Sequence, residues 1–406
     1  MSRCVAITGV GVVSAFGTTF NDLWNGVAVG HTAIRLMTLV PPGSLRFSNG
    51  AEVPDFSPSR YFEEKDASML DRFTQLAAVA AREAITTSGL EFSPALKERT
   101  AVVLGCASGG KTSEDEFFQK LYSLGEKRLS PLTIPRAMNS APASRISLEH
   151  GITGPVYTVS TACSSANHAI GQAFWMVRNG IVDVALAGGS EAPFSLGFLK
   201  AWDAMRVVAP DTCRPFSSDR RGLILGEGAA IVVLENLERA RTRGATIWAE
   251  LAGFGMSSDA HHITQPSAAG ASRAIRLALA DANQPPEAIG YINAHGTGTE
   301  ANDRTETEAI RAVFDTHASK IMVSSTKSMH GHALGAAGAL EAAATLGALR
   351  FGIIPPTANF NEDNRDPACD LDVVPNRPRP GKVEWAMSNS FAFGGLNAVL
   401  VFRNVQ

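Results

Sequence analysis

Of the five cysteines in the chain (Cys4, Cys106, Cys163, Cys213 and Cys369), one stands where a thiol can react. Cys163 lies in Thr161-Ala-Cys-Ser-Ser165, between a strand-like run and a helical one. In the helical run Ala166, Ala169, Ile170, Ala173, Phe174 and Val177 share a face, and Gly180 closes it. A thiol at such a turn faces the positive end of the helix dipole, which favours thiolate and predicts a lowered pKa. The backbone N–H groups of the turn can also hold a developing oxyanion. The other four cysteines read as inert thiols.

Two histidines are the next candidates. His295 lies in Asn293-Ala-His-Gly-Thr-Gly-Thr299, directly after the strand-like Tyr291-Ile292, and His332 follows Gly331. A histidine at a strand end, followed by glycines and hydroxyls, suits a loop that meets a substrate. His31, His150, His261, His262 and His317 read as ordinary hydrogen-bonding residues, and His168 as packing in the helix behind Cys163. A late segment, Ser388 to Asn397, sets Phe391 and Phe393 beside Gly394-Gly395, where backbone can approach a ligand and aromatic rings can gate a channel. Gly9-Val-Gly11 is not a dinucleotide fingerprint, because Ser14 stands where the third glycine belongs.

These residues need a scaffold, and the chain repeats one. Residues 158–173 align without a gap to residues 322–337, with seven identities in sixteen: Val159, Ser160, Ser164, His168, Ala169, Gly171 and Ala173 recur as Val323, Ser324, Ser328, His332, Ala333, Gly335 and Ala337. This predicts an internal duplication, each copy a strand, a turn and a helix. Lys327 then occupies the turn that Cys163 occupies in the first copy, and His332 falls about one turn inside the second helix. Gly253-Phe-Gly255 echoes Gly9-Val-Gly11 more weakly, and the boundary between halves is expected near residue 248. Apolar strand-like runs such as Val5 to Val13 and Val182 to Gly189 alternate with helical patterns such as Arg72 to Ser88, which predicts an α/β architecture.

Composition narrows the function classes. A chain of 406 residues, 45% hydrophobic, is long enough for two buried cores. With a net charge of −3 and no basic block, it is expected to bind neither nucleic acid nor membrane. Ala333 to Leu349 is apolar but interrupted by Glu341, so it reads as a buried helix rather than a membrane span. No cysteine pair has metal spacing and no secretory leader is evident, so a reduced, cytoplasmic protein is expected.

Taken together, the ordered segments Ile7 to Ser14, Thr161-Ala-Cys-Ser164, Arg214 to Gly222 with Gly226-Glu-Gly-Ala229, Asn293 to Thr299, Ser324 to Ser328 with Gly331-His332, and Asn389 to Gly395 carry a resemblance. Over essentially its whole length the chain resembles the β-ketoacyl-acyl-carrier-protein synthases of the thiolase superfamily, most closely their KAS II branch. That resemblance implies an α/β thiolase fold of two similar halves, 1–248 and 249–406, stacked as α/β/α/β/α. It implies Cys163 as nucleophile, His295 and His332 as the paired catalytic histidines, and Lys327, Glu341 and Asp303 as supporting residues. The N–H groups of Cys163 and Phe393 would form an oxyanion hole. Thr297 and Thr299 would line the pantetheine path, and Phe391 and Gly394 would belong to the gating loop. The implied reaction is decarboxylative condensation of malonyl thioester with an acyl group held on Cys163, with no redox or metal cofactor. A monovalent cation near Glu341 and Asn389 follows by analogy.

The implied partners are acyl- and malonyl-loaded carrier proteins, received by a basic patch of Lys65, Arg72 and Arg206, and a second subunit, identical or related. Some positions depart from the family pattern. His330 replaces a usual threonine, Ala392 a glycine and Leu396 a threonine, while Ser108 and Thr133 are small where relatives carry bulkier pocket residues and Trp202 takes room back. These features resemble specialised relatives such as nodulation-factor or polyene-type synthases. A silent chain-length factor would lack the nucleophile, and a thiolase would carry a cysteine in the late loop.

Overall fold

In the computed structural model, which describes residues 3–363 and 365–405, ten strands form one sheet. The first half supplies β1 (Val5–Val13), β2 (Thr100–Gly105), β3 (Val156–Val159), β4 (Val184–Glu191) and β5 (Gly228–Asn236). The second supplies β6 (Ala249–Ser258), β7 (Ile289–Asn293), β8 (Met322–Ser324), β9 (Trp385–Ala392) and β10 (Leu396–Arg403). Their order is β8-β7-β9-β10-β6-β1-β5-β4-β2-β3. Each half thus runs third, second, fourth, fifth, first, with matching pairings. The first three strands in that order are parallel, and the last two join antiparallel. The halves meet through a short pairing of Val5–Ile7 with Ala249–Leu251.

The principal helices are α1 (Arg72–Ser88), α2 (Ala141–His150), α3 (Ser165–Arg178), α4 (Leu196–Met205), α5 (Ala268–Asp281), α6 (Glu300–Phe314) and α7 (Ala337–Phe351). Helices α1 and α2 cover the outer face of the first half; α5, with α6 against it, covers the second. Between the two halves of the sheet lie α3 and α7, which touch each other and strands of both halves. The result is the five-layer α/β/α/β/α thiolase fold.

The two glycine pairs have one physical cause. A Cβ on Gly9 would stand 2.1 Å from the Ala84 carbonyl oxygen, and one on Gly11 2.0 Å from that of Ala80, both on α1. On Gly253 and Gly255 it would meet the Ala278 and Ala274 oxygens of α5 at 2.5 and 2.3 Å. In each half a helix lies directly on the first strand, and only glycine permits the approach. The central helices are packed just as closely: a Cβ on Gly171 of α3 would meet the Phe254 ring at 2.3 Å.

The duplicated segments diverge after their turns. In the first copy α3 begins at Ser165 and continues without a break. In the second, a short helix over Lys327–His330 stops at Gly331, with φ 69 and ψ −176, and α7 begins only at Ala337. His332 is therefore not inside a helix. It lies in extended chain, its N–H donating to the Ile224 oxygen at 2.7 Å and its own oxygen accepting from Gly226 at 3.0 Å. The cause is one residue: that backbone conformation is open essentially to glycine alone, and the matching position in the first copy is Asn167.

Candidate active site

The turn that carries Cys163 is held by its own hydroxyls. Ser164 Oγ donates to the Thr161 oxygen at 2.8 Å, and Ser165 Oγ donates to that of Ala162 at 2.6 Å while accepting from Thr161 N–H at 2.9 Å. Ala162, just before the cysteine, is forced to φ 50, a conformation non-glycine residues seldom adopt. This places Cys163 at the wall of a cavity of about 350 Å³ shared with His295, His332, Thr297, Thr299, Trp202, Phe391 and Phe393. The backbone N–H groups of Phe393 and of Cys163 itself are directed at the sulfur.

The thiol's acidity runs against the expectation from the helix dipole. Burial pushes Cys163 up to about 12; the Lys327 charge acts against this and Glu191 adds to it. Withdrawal of water from a thiolate outweighs the Lys327 charge and the N–H groups together. Burial thus favours the protonated thiol at Cys163.

Both histidines are buried and held neutral, with pKa values driven well below the usual 6.5 by burial and then by the Lys327 charge. Their rings meet edge to face, 5.5 Å between centroids. Lys327 Nζ lies 3.3 Å from His295 Nδ1, donates to the His295 oxygen at 2.7 Å and pairs with Glu341. An ammonium can only donate, so His295 Nδ1 accepts and its proton sits on Nε2. His332 Nδ1 accepts from the Leu334 N–H at 3.2 Å, which again leaves the proton on Nε2. Two neutral imidazoles thus stand as Nε2–H donors.

The charges behind them have separate tasks. Glu341 is the one charged residue in the buried stretch Ala337–Leu349 and is raised to about 7 by burial, with Lys327 opposing. Asp303 accepts from the N–H groups of Phe216 at 2.7 Å and Gly298 at 3.2 Å. One turn further along α6, Glu306 accepts from His295 N–H at 2.8 Å, Gly296 N–H at 2.7 Å and Asn389 at 3.2 Å. Glu306 has no place in the sequence-based set, although its spacing from Asp303 was the available signal: two carboxylates on one helix face beneath a glycine-rich loop.

Two acceptors there, Glu341 Oε2 and Asn389 Oδ1, are buried without a hydrogen-bond partner among the described residues, as are the Ser388 and Ser390 hydroxyls beside Asn389. Unpartnered carboxylate and amide oxygens are the donor type that a hard cation takes, as the expected monovalent cation would require. Glu341 and Asn389 would hold it, and it would offset the carboxylate charge behind the histidines.

Other expected residues are placed as follows. Thr297 and Thr299 share a hydroxyl contact of 2.8 Å at the cavity wall. Gly394 sits with Phe393 and Gly395 in the turn of the β9–β10 hairpin and donates to the Ile263 oxygen at 2.7 Å. Ala392 and Leu396 are the last pair of that hairpin, in strand rather than loop. Ser108 and Thr133 are outside the cavity lining. The Ser108 hydroxyl donates to the buried Glu191 carboxylate, and that of Thr133 to the Ser130 oxygen at 2.7 Å. His330 is buried, bonded to Thr326 Oγ1 at 3.0 Å and the Gly331 oxygen at 2.9 Å. Arg72 leaves the expected basic patch: its guanidinium is engaged by Glu227 through contacts of 2.6 and 2.7 Å. Among the described residues no helix is long and apolar enough to cross a membrane.

Comparison with known proteins identifies the family of the chain. The family described as "Beta-ketoacyl synthase, N-terminal domain" matches residues 2–240, and its "C-terminal domain" matches residues 248–361. "Nodulation protein E" of Rhizobium sp. (strain N33) is 48% identical over 405 residues, covering 100% of both chains. "3-oxoacyl-[acyl-carrier-protein] synthase 2" of Coxiella burnetii is 41% identical, covering 99% of both. Among solved structures, "The ishigamide ketosynthase/chain length factor" superposes with a TM-score of 0.95 at 38% identity over 100% of both chains. The chain belongs to the β-ketoacyl synthase family, the condensing acyltransferases of the thiolase fold.

Proposed function

We propose that Cys163 carries the acyl chain and that His295 and His332 stabilise the enolate formed from malonyl thioester. The observation that supports this reading is one buried cavity in which a cysteine, two backbone N–H groups and two neutral histidines come together. In the first step the Cys163 sulfur attacks the thioester of an acyl carrier protein. The acyl–sulfur bond to the carrier breaks, the cysteine proton leaves with the carrier thiol, and the Phe393 and Cys163 N–H groups hold the tetrahedral oxyanion.

Malonyl thioester then enters past Thr297 and Thr299, and its thioester oxygen meets the two Nε2–H donors. The bond to the carboxylate breaks, carbon dioxide leaves, and the electron pair becomes an enolate held by His295 and His332. The enolate carbon attacks the Cys163 thioester, forms the new carbon–carbon bond and expels the cysteine sulfur, which is reprotonated. Neutral histidines suit this role, since each donates a hydrogen bond without transferring its proton. Lys327, held by Glu341, sets the His295 tautomer and with burial keeps both rings neutral. The Leu334 N–H sets the His332 tautomer, and Glu306 and Asp303 position the His295 loop.

The halves 1–248 and 249–406 then divide the labour, the first holding the nucleophile and the second the decarboxylation donors. A cluster of exposed apolar side chains along residues 111–138 (Phe118, Tyr122, Leu124, Ile134 and Met138) supports assembly with a second subunit, tested by light scattering. A specialised pathway is the second reading, favoured by the higher identity to nodulation protein E than to the Coxiella synthase. Intact-mass measurement with acyl carriers of graded length tests the proposal: one acyl adduct per chain is expected, absent from Cys163→Ala. Condensation should fall at least about a thousandfold in that variant. An adduct that persists in Cys163→Ala would remove the cysteine from the mechanism.

A further inference from the structure

The residue before Gly331 also separates the two copies. Where the first has Ala166, inside α3, the second has His330, the last residue of its short helix. An imidazole thus stands where the other copy carries a methyl group, and it is wholly buried. Neither the condensation steps nor the cavity lining involves it. The ring is neutral, since burial and then the Lys327 charge push its pKa down to about 3. Its hydrogen bonds fix the tautomer. Nδ1 lies 2.9 Å from the Gly331 oxygen, which can only accept, so Nδ1 carries the proton. Nε2, 3.0 Å from Thr326 Oγ1, is then an acceptor and takes the threonine proton. Thr326 Oγ1 in turn accepts from the Asn293 amide at 3.3 Å, and that amide also donates to the Glu341 backbone oxygen at 3.1 Å. The far edge of the ring is therefore braced against the end of β7 and against α7.

The near edge of the ring grips the peptide that leads into His332. Across a trans peptide the oxygen of one residue and the N–H of the next point in opposite directions. Here the His332 N–H donates to the Ile224 oxygen at 2.7 Å, while the Gly331 oxygen accepts from His330. The peptide plane is thus held on both sides, once by backbone and once by the imidazole. Such a hold is needed because glycine permits the turn without fixing it. Left free, the plane would rotate and carry the His332 ring with it. We propose that His330 is a positioning residue: its Nδ1–H holds the Gly331 oxygen and so sets the direction in which His332 presents its Nε2–H to the cavity. This rests on the reading of His332 as a donor to the enolate.

Malonyl decarboxylation in variants of His330 is the test. His330→Leu removes both bonds and should lower kcat about tenfold to a hundredfold, the cost of a donor misplaced by about 1 Å. KM for the malonyl carrier should stay within about twofold, because Thr297 and Thr299 are untouched. His330→Asn sets an amide N–H in the place of Nδ1 and keeps the bond to Gly331, so it should be at least about fivefold faster than His330→Leu. His330→Gln reaches toward Thr326 instead and should be as slow as His330→Leu; it carries the comparison should the leucine variant not fold. A packing role would reverse this order, since Asn leaves the largest void of the three. On a His332→Ala background, His330→Leu should add less than about twofold, as befits a residue that acts through His332. Iodoacetamide alkylation of Cys163 reports an intact site in each variant. The proposal is overturned by unaltered rates in His330→Leu and His330→Gln, by His330→Asn no faster than they are, or by a loss that persists in full without His332. Decarboxylation that His332→Ala itself leaves unchanged would instead defeat the reading of His332 as an enolate donor.

Discussion

The two copies of the strand-turn-helix unit begin alike and end with opposite chemistry. In the first, the turn residue is Cys163 and the later histidine, His168, is turned back into the fold, with Nδ1 3.0 Å from Thr161 Oγ1 and 3.1 Å from the Ser164 oxygen. In the second, the turn residue is Lys327, and the equivalent histidine, His332, reaches the cavity. The same scaffold thus supplies a buried thiol, the proposed nucleophile, from one half and a lysine with a hydrogen-bond donor from the other. The decisive change is not at the histidine but one residue earlier, where Asn167 keeps the first helix going and Gly331 breaks the second. Asn167 is itself structural, its amide donating to the Ser388 and Ala398 oxygens at 3.2 and 3.3 Å.

The sharpest way to break this contrast is to remove each histidine in turn. His332→Ala should lower malonyl decarboxylation about a hundredfold to a thousandfold, the usual effect of losing one oxyanion donor, with a smaller effect on acyl transfer to Cys163. His168→Ala should leave decarboxylation within a few fold and instead destabilise the chain by about 1–3 kcal/mol through lost buried hydrogen bonds. Decarboxylation assayed beside thermal unfolding separates the two. Equal loss of decarboxylation in both variants would abolish the distinction between the copies.

The pH responses should also differ between the turns. With Cys163 raised to about 12, the thiolate fraction climbs about tenfold per pH unit throughout the neutral and mildly alkaline range, so alkylation should show no plateau below pH 9. Lys327→Met removes the charge that opposes this rise and should slow alkylation further. The histidines sit well below 6.5, so lowering the pH from 7.5 to about 6 should not protonate them, and decarboxylation should not fall on that account. A decarboxylation rate that halves near pH 6.5 would show an imidazole with ordinary acidity in the site.

A gentler intervention is to give the second copy the residue of the first. Gly331→Asn puts a side chain where φ is 69 and ψ −176, with its Cβ 2.8 Å from that of Ala51. Strain of about 1–3 kcal/mol is expected. The segment should relax by withdrawing His332, so decarboxylation should drop about tenfold while Cys163 remains open to alkylation. Unchanged decarboxylation would mean that the break is not what aims His332.

How far the sequence anticipated this depends on whether a feature is local. Helix α1 is legible from its apolar period over Arg72 to Ser88, and Cys163, His295 and His332 stand out because residue type and neighbouring glycines announce them. The acidity of Cys163 is not legible in its turn, because a dipole can be inferred locally whereas burial depends on Phe391, Phe393 and Gly395, which arrive from far along the chain. The break after His330 was hidden for a related reason: glycine permits a helix as well as a break, and contacts with Ala51 and Leu225 decide which. Glu306 and Glu191 went unnoticed because a carboxylate ordinarily reads as solvated surface, and only tertiary structure buries these two against backbone N–H groups.

Glu191 leads to the smallest of the expected effects. Its carboxylate accepts from Ala107 N–H at 2.8 Å and Ser108 N–H at 3.1 Å on one side, and from Gly335 N–H, at the foot of the second copy, at 3.1 Å. The charge therefore ties the loop beside Cys163 to the segment that follows His332, and the Ser108 hydroxyl completes its shell. If this is what Ser108 does, Ser108→Ala should cost about 1–2 kcal/mol, the loss of one hydrogen bond to a charged group, and leave the acyl-length profile of Cys163 in place. Differential scanning calorimetry and the intact-mass profile read the two consequences separately. A shifted length profile with unaltered melting would instead place the Ser108 side chain against the acyl group, and the two copies would then be joined at Glu191 through backbone alone.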